Sequence, residues 1–309
     1  MRKAWIKPGR LCGRWGIRYK AKGCGKMIIY FNGRLVSAAE AVLTPVDHGF
    51  LYGHGLFETM RAYHGRVFKF KEHINRLKAA ADFLGWPKLP PYAELSDAIT
   101  SVLNDNQLTN ASVRLTCSRG QGTPRPDPGS CGQPAIAVFA SPLPPPLPPA
   151  GWSVTTVAFR RNLSSPLVKI KSANYLDNIL AKQEAKAKGA EEALMLNTDG
   201  FVAEGSMSNL FMASEGRLIT PDIYSGILPG ITRSTIIELA KAAGIIVEER
   251  QVRPEELADA DEIFLTSSIM EVIPVKMLDG CPVGKSQTAG RGYFTVKLIQ
   301  LYRELTAKE

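Results

Sequence analysis

A run of prolines near the middle of the chain constrains the fold more than any other feature. The segment SPLPPPLPPAGW, residues 141–152, contains six prolines in twelve residues. Proline has no backbone N–H and a fixed φ, so this segment cannot lie inside a helix or a central strand and favours an extended conformation. A chain of 309 residues is long enough for two domains at ~100–200 residues each. We therefore predict a small domain over 27–140, a linker over 141–151 and a larger domain over 152–309.

Hydrophobic periodicity predicts both strands and helices on each side of this linker. Before it, the pattern predicts a hairpin around Asn32-Gly33, strands at 57–63, 66–70 and 111–118, and helices at 71–84 and 92–103. After it, the pattern predicts strands at 152–159, 192–197, 201–204, 245–250 and 262–267, a hairpin over 208–221, and helices at 174–188 and 232–243. The fold class that follows is α+β.

The net charge of +9 comes from one end of the chain. Residues 1–26 carry nine basic residues and no acidic one, and the rest of the chain has 29 of each sign. This leader lacks an apolar core, so it is not typical of a secretory signal. Met27 precedes a strand-turn-strand pattern, so we expect translation to start there. The alternative is that residues 1–26 form a flexible basic arm that binds nucleic acid or anionic surfaces. We expect no nucleic-acid binding by residues 27–309.

Several classes of protein do not fit this sequence. No apolar run reaches the ~18–20 residues needed to span a bilayer. The five cysteines are odd in number and scattered without a CxxC pair, which argues against a disulfide framework and against a zinc site. We expect no membrane span, no metal and a cytoplasmic location.

One lysine stands apart from the others. Lys171 lies where a strand-like run, 167–170, gives way to a helical pattern. A lysine withdrawn from water or placed beside other cations loses affinity for its proton and becomes a nucleophile that can form a Schiff base with an aldehyde. Pyridoxal phosphate (PLP) chemistry also requires an anion site, an acid for the ring nitrogen and a group that binds the substrate carboxylate.

Each of these requirements has a candidate. Residues 229–232 precede an apolar helix, whose N-terminal amides favour phosphate, and Thr266 to Ser268 form a second hydroxyl cluster. Glu204 ends an apolar strand before Gly205. Taken alone, each feature also has an ordinary explanation. Residues 229–232 are typical of a loop with a helix-capping residue, hydroxyl side chains are common at strand ends, and a glutamate after a strand is commonly exposed to solvent.

Arginines supply the carboxylate-binding candidates. Arg114 lies on a predicted strand, and Arg125 follows in a glycine-rich turn. Phe57, Thr59 and Arg61 share one face of another strand. Guanidinium binds carboxylates with two hydrogen bonds, although a surface ion pair is the ordinary role of any single arginine.

Five segments, taken in order, resemble motifs of the class IV, fold type IV, PLP-dependent enzymes. This group includes branched-chain aminotransferases, D-amino acid aminotransferases and aminodeoxychorismate lyases. The segments are HINRL at 73–77, KSANYLDNILAKQEA at 171–185, DGFVAEGSMSNLF at 199–211, LPGITR at 228–233 and DEIFLTSSIMEVIPV at 261–275. The resemblance extends from Met27 to the C-terminus and implies a two-domain α+β fold, with a smaller N-terminal α/β domain and a larger strand-rich domain.

The resemblance also implies roles for individual residues. Lys171 would carry the Schiff base, Tyr175 would contact the ring hydroxyl of the cofactor, and Glu204 would contact its ring nitrogen. The phosphate would be held by Arg76, Ile231, Thr232 and Ser268, with Ser267 beside them. Phe57, Thr59, Arg61, Arg114 and Arg125 are the predicted substrate residues. Family members are commonly homodimers, so we expect a homodimer that binds amino acids and 2-oxo acids.

The sequence combines features of the three subfamilies. Arg61 and Arg114 fit branched-chain aminotransferases, whose pattern has Gly in place of Thr59 and Tyr in place of Ser112. Arg125, followed by Pro and Asp, matches half of the carboxylate clamp of D-amino acid aminotransferases. The lyases share Thr59 and the SRGQG turn. We expect a branched-chain-aminotransferase-like transaminase, with the aminodeoxychorismate lyase as the alternative and the D-amino acid aminotransferase as the second alternative.

Overall fold

The structure, a computed structural model, describes residues 27–145, 150–284 and 292–308. The basic leader, and both interpretations of it, lie outside the described residues. The strands are β1 Ile28–Phe31, β2 Arg34–Ser37, β3 Gly55–Tyr63, β4 Arg66–Val67, β5 Ala111–Ser118, β6 Ala135–Pro142, β7 Trp152–Arg161, β8 Glu192–Asn197, β9 Val202–Gly205, β10 Asn209–Ser214, β11 Arg217–Pro221, β12 Val247–Arg250, β13 Glu262–Ser267, β14 Glu271–Leu278 and β15 Cys281–Pro282. The helices are α1 His48–Tyr52, α2 Phe70–Phe83, α3 Tyr92–Asp105, α4 Leu176–Ala187, α5 Ile231–Ala242 and α6 Tyr293–Thr306.

The first sheet contains strands β1 to β6, the last of which ends at Pro142, two residues into the proline-rich segment. Its six strands run in the order β2-β1-β6-β5-β3-β4, and all neighbours are antiparallel. Helices α2 and α3 cover one face of this sheet. Ile74 and Leu77 from α2 and Leu95 from α3 are buried in this core, as their helical spacing predicts.

The second sheet contains the strands that follow the proline-rich segment. Its nine strands run in the order β12-β11-β10-β13-β14-β7-β8-β9, with β15 beside β14. Helices α5 and α6 pack against one face together with Phe211 and Phe264, and α4 packs against β7 and β8. The second sheet is mixed, because the pairs β11–β12, β14–β7 and β7–β8 are parallel and the others are antiparallel. The combination of helices with largely antiparallel sheets agrees with the α+β class.

Side chains from the first half extend into the core of the second. Phe68 is buried in the same cluster as Tyr302 of α6, and their ring centroids are 5.4 Å apart. The Tyr63 hydroxyl donates a hydrogen bond to Glu271 Oε1 at 2.7 Å. The two sheets therefore share apolar and polar contacts at this boundary.

Most predicted elements are present, and three predicted strands, 111–118, 192–197 and 262–267, have the observed bounds. Two predictions were wrong. Strand 66–70 is cut short, because Lys69 adopts φ 53° and α2 begins at Phe70. The strand-like run before Lys171 is a 3₁₀ turn over Pro166–Lys169, with proline at its first position and the Ser165 side chain accepting from Leu167 N.

Helix α6 was not predicted from the sequence.

No helix among the described residues is long and apolar enough to cross a membrane.

Helix α6 depends on a carboxylate from a distant strand. Glu262, at the start of β13, is 5% exposed. Its oxygens accept hydrogen bonds from Phe294 N at 3.0 Å, Thr295 N at 2.8 Å and Thr295 Oγ1 at 2.7 Å. A buried carboxylate at this position satisfies N–H groups that otherwise have no partner in the first turn of a helix.

We expect Glu262→Ala to lower the free energy of unfolding by roughly 2 kcal/mol, because it leaves buried donors of α6 without acceptors. Thermal unfolding followed by circular dichroism measures this change. The control is Glu304→Ala, which removes only an exposed contact with Gln300 on the same helix and should change stability by less than about 0.5 kcal/mol. Equal effects of the two substitutions would contradict the capping role.

Candidate active site

A cavity of about 730 Å³ is lined by residues of both halves of the chain. Eleven of the predicted site residues line it: Phe57, Thr59, Arg76, Arg114, Lys171, Tyr175, Glu204, Ile231, Thr232, Ser267 and Ser268. Arg61 and Arg125 do not line it. The fold thus brings most of the predicted set to one place from elements far apart in the sequence.

Backbone pairing with the first sheet holds Lys171 in place. Strand β4 pairs with β3 only at Ala62 and Tyr63, so the edge of β3 is open at its beginning. Phe57 N donates to Lys171 O at 3.0 Å, and Ala173 N donates to Gly55 O at 2.8 Å. The segment around Lys171 therefore extends the sheet by a few residues, which fixes the direction of the lysine side chain.

The Lys171 amine lies among aromatic rings and cations. Its Nζ is 4.5 Å from the ring centroid of Phe57 and 5.7 Å from that of Tyr175. Burial lowers the pKa of Lys171 to about 8, and the charge of Arg76 lowers it as well, against the opposing effects of Glu58 and Glu204. An amine with such a pKa is partly neutral near neutral pH and can act as a nucleophile or a base.

Glu204 is a buried carboxylate that also lines the cavity. Its Oε2 accepts from Asn209 Nδ2 at 3.1 Å and from Leu228 N at 2.9 Å, and Arg161 Nη2 lies 3.1 Å from Oε1. Burial raises the pKa of Glu204 to about 7, although Arg161 acts against this rise. The contacts with Asn209, Leu228 and Arg161 hold the side chain in one orientation. There it can share a proton with a basic ring nitrogen.

Arg76 is held rigidly at the cavity wall by Glu58. Its Nε donates to Glu58 Oε1 at 2.8 Å, its Nη2 donates to Oε2 at 2.6 Å, and its Nη1 donates to Pro229 O at 2.8 Å. His73 Nδ1 lies 2.7 Å from the same carboxylate. Burial alone would raise the pKa of Glu58, but Arg76 and His73 lower it to about 2. The HINRL motif therefore supplies two partners to one buried acid.

Helix α5 begins at the cavity with its N-terminal amides open. Its N-cap, Gly230, provides no side-chain cap, and Ser234 N is the first amide to bond back to the Gly230 carbonyl. A Cβ at Gly230 would lie 1.9 Å from Asn209 Oδ1, so only glycine permits this approach of the helix to β10. Free amides and the positive end of the helix dipole favour an anion here.

Arg114, on β5, is another cation that lines the cavity. Its Cζ lies 3.5 Å from the ring centroid of Phe57, and Nη1 and Nε donate to Thr59 Oγ1 and Thr116 Oγ1, each at 3.2 Å. Burial lowers the pKa of Arg114 to about 10. None of the ion pairs found among the described residues includes Arg114. Its charge is therefore available to a carboxylate that enters the cavity.

Two predicted substrate residues lie elsewhere. Arg61 points to the turn between β13 and β14, where its Nη1 donates to Ile269 O at 2.6 Å and lies 3.3 Å from Glu271 Oε1. It therefore anchors the turn that carries Ser268. Arg125 is exposed on the loop that precedes β6, away from the residues that line the cavity.

Arg161, Ser208 and Asn209 also line the cavity, and sequence reasoning gave them no role. Ser208 and Asn209 lie inside a motif segment, but Arg161 ends a strand pattern with no signal of its own. The hydroxyls of Ser208 and Thr266 are buried without a hydrogen-bond partner among the described residues. A polar group in that state calls for a ligand or a water, so the cavity fits a phosphorylated, hydrogen-bonding cofactor.

Comparisons with known proteins agree with this geometry. The family model for class IV amino-transferases matches residues 55–278. A Methanocaldococcus jannaschii protein named "Putative branched-chain-amino-acid aminotransferase" is 40% identical over 285 residues, 91% of this chain and 97% of that one. The aminodeoxychorismate lyase of Bacillus subtilis is 36% identical and covers 90% and 94%. The D-alanine aminotransferase of Bacillus licheniformis is 34% identical and covers 84% and 90%.

Solved structures give the same result. The branched-chain amino acid aminotransferase of Escherichia coli aligns with a TM-score of 0.86 at 30% identity, over 91% of this chain and 95% of that chain. A second branched-chain amino acid aminotransferase, from T.th. and complexed with N-(5'-phosphopyridoxyl)-L-glutamate, aligns with a TM-score of 0.85 at 31% identity, over 92% and 95%. The chain therefore belongs to the class IV aminotransferase family of PLP-dependent enzymes, with the fold type IV architecture.

The low pKa of Lys171 can be measured in the cofactor-free protein. Labelling of Lys171 by an amine reagent, followed by peptide mass spectrometry, should rise with pH around a midpoint near 8. In Arg76→Met the midpoint should move upward, because a positive charge is lost and Glu58 is no longer neutralised. The exposed Arg217→Met is the control. A midpoint near 8 in both variants would show that Arg76 has no influence on Lys171.

Proposed function

We propose that this member of the class IV aminotransferase family is a branched-chain-aminotransferase-like transaminase, which transfers an amino group between an amino acid and a 2-oxo acid. The observation that carries the proposal is the convergence in one cavity of the Lys171 amine, the Glu204 carboxylate and the open start of α5. The relative at 40% identity supports the branched-chain type.

PLP, when bound, supplies an electron sink for negative charge that develops at the substrate Cα. In this proposal Lys171 attaches the cofactor and then, once freed, moves the Cα proton as a general base. Its lowered pKa suits both steps, since a protonated amine could neither attack nor accept a proton. The backbone bonds between the Lys171 segment and β3 fix the point from which the amine would act.

Glu204 is proposed to keep a proton on the ring nitrogen of the cofactor. Its bonds to Asn209, Leu228 and Arg161 leave the carboxylate no freedom to turn away. Tyr175 is proposed to contact the ring hydroxyl. Its own hydroxyl donates to Ser206 O at 3.2 Å, and burial raises its pKa to about 12. It therefore stays protonated at physiological pH, and its oxygen can accept a hydrogen bond from the ring hydroxyl.

The phosphate is proposed to lie at the start of α5. Ile231 and Thr232 provide backbone amides there, Arg76 provides charge, and Ser268 approaches from the turn that Arg61 anchors. Ser267 stands beside them, and its hydroxyl accepts from Met270 N at 3.3 Å. Arg76 is turned toward this corner by Glu58 and Pro229 O, so its position does not depend on the anion.

The substrate carboxylate is proposed to bind Arg114. The guanidinium is held by Thr59 and Thr116 and stacked on Phe57, which reduces the entropy lost when a carboxylate binds. Arg61 acts on the site through the β13–β14 turn. A homodimer is proposed by family resemblance, and exposed apolar residues such as Phe50 and Leu176 are consistent with a covered face.

One observation favours the aminodeoxychorismate lyase as a second candidate. Thr59, where branched-chain aminotransferases are expected to have glycine, places a hydroxyl on Arg114 in the substrate wall. The lyase relative at 36% identity is consistent with this. Such an enzyme would use the same Lys171 and Glu204 but would release pyruvate and p-aminobenzoate.

A half-reaction distinguishes the two candidates. The PLP-loaded protein is mixed separately with L-leucine, L-glutamate, D-alanine and aminodeoxychorismate, and the cofactor absorbance and pyruvate are followed. We expect L-leucine and L-glutamate to convert the cofactor to its pyridoxamine form. An unchanged cofactor with the amino acids, together with pyruvate from aminodeoxychorismate, would establish the lyase. Conversion by D-alanine alone would establish the D-amino acid type.

Substitution of Arg114 tests the carboxylate site. Arg114→Met should lower kcat/KM for the amino acid roughly a hundredfold, because a buried carboxylate loses its cation, while the cofactor stays bound. Steady-state kinetics with the accepted amino acid measure the change. The control Arg217→Met removes an exposed arginine of the second sheet and should leave kcat/KM unchanged. A loss below about threefold in Arg114→Met would place the carboxylate elsewhere.

A further inference from the structure

Thr266 carries a buried hydroxyl without a hydrogen-bond partner among the described residues. Its side chain is 1% exposed and lines the active-site cavity. A buried hydroxyl with no partner costs free energy, so such groups are rare in folded proteins unless a ligand or a water completes them. Family resemblance gives this residue no role.

The register of the second sheet shows where this hydroxyl lies. Thr266 on β13 is paired with Asn209 on β10, and paired residues place their side chains on the same face of a sheet. Asn209 Nδ2 donates to Leu228 O at 3.0 Å, and its Oδ1 lies against Gly230. Thr266 is therefore on the face where α5 begins.

The other residues of β13 confirm this orientation. Phe264, two residues before Thr266 and on the same face, packs with Phe211 and with Ile236 of α5. Leu265 points to the opposite core, with Ile273 and Val275. Thr266 thus lies beyond the apolar contact of α5 with the sheet, at the end where the amides of the helix are open.

Two independent features meet in this corner of the cavity. One is the start of α5, which has no side-chain cap. The other is the Thr266 hydroxyl, which has a proton to donate and no acceptor in the described part of the chain. The neighbouring Ser267 hydroxyl already accepts from Met270 N and so helps to close its own turn. Thr266 is therefore a buried hydroxyl of this strand end that is available to a ligand.

We propose that Thr266 donates a hydrogen bond to the phosphate of the cofactor at the start of α5. This inference rests on the proposed PLP function and adds a ligand to it. In the holoenzyme the phosphate would supply the acceptor that the Thr266 hydroxyl lacks among the described residues. The free energy of that hydrogen bond therefore appears in cofactor affinity and not in the stability of the cofactor-free fold.

The test compares Thr266→Val with the wild type, both as full-length protein stripped of cofactor. Valine has the same branched shape without the hydroxyl. Dissociation constants are measured for pyridoxal phosphate and for pyridoxal, which lacks the phosphate, and thermal unfolding is measured without cofactor. We expect Thr266→Val to weaken pyridoxal phosphate binding roughly tenfold to a hundredfold, to leave pyridoxal binding unchanged, and not to lower the unfolding temperature of the cofactor-free protein.

Two further variants serve as controls. Thr266→Ser keeps a hydroxyl and should retain most of the preference for the phosphorylated ligand. Thr220→Val removes a fully buried hydroxyl that donates to Leu210 O at 2.7 Å and accepts from Arg233 Nε at 3.2 Å. It should lower the unfolding temperature without changing the ratio of the two affinities.

The outcomes separate this inference from the function on which it rests. If Thr266→Val weakens both ligands equally, or lowers the stability of the cofactor-free protein as Thr220→Val does, the hydroxyl does not bind the phosphate. An unchanged affinity ratio in Thr266→Val has the same meaning. If the wild type itself shows no preference for pyridoxal phosphate over pyridoxal, the proposed phosphate site is wrong and the inference falls with it.

Discussion

The short backbone pairing between β3 and the Lys171 segment is the contact on which the site depends. It joins a strand of the first sheet to the start of α4 through hydrogen bonds at Phe57 and Ala173. The pairing is possible because β4 is short and leaves this part of β3 without a partner. Because main-chain bonds fix the backbone of Lys171, its side chain enters the cavity from one place between the two halves of the chain.

The charged side chains around that lysine form two ion pairs and leave two cations without an ion-pair partner among the described residues. Glu58 is paired with Arg76, and Glu204 is paired with Arg161. Lys171 and Arg114 have no such partner among the described residues. An unpaired cation in a low-dielectric cavity costs free energy. At Lys171 this cost lowers the pKa of the amine, and at Arg114 we propose that an incoming anion offsets it.

Local patterns predicted much of this fold. Strands such as 192–197 were recognised because they are apolar runs between turn residues, and residues 229–232 predicted an anion site at the start of the following helix. Arg76 could not be assigned from periodicity, which placed it on a solvated helix face, and its role came from resemblance to a known family. Arg61 was placed correctly on a strand face, but its partner, Ile269, is more than two hundred residues away in the sequence.

The sequence by itself determined most of the element types, the family, the cofactor and the lysine that stands apart, because these depend on short-range patterns and on residues inside contiguous motifs. Tertiary structure alone decided which side chains meet. In the folded chain, Arg61 donates to the carbonyl of Ile269 and Arg161 pairs with Glu204. Arg125 lies outside the set of residues that line the cavity. The fold also leaves the Thr266 hydroxyl without a partner among the residues that the structure describes. Such outcomes depend on strand register and on how two sheets approach each other, and no local pattern records either of them.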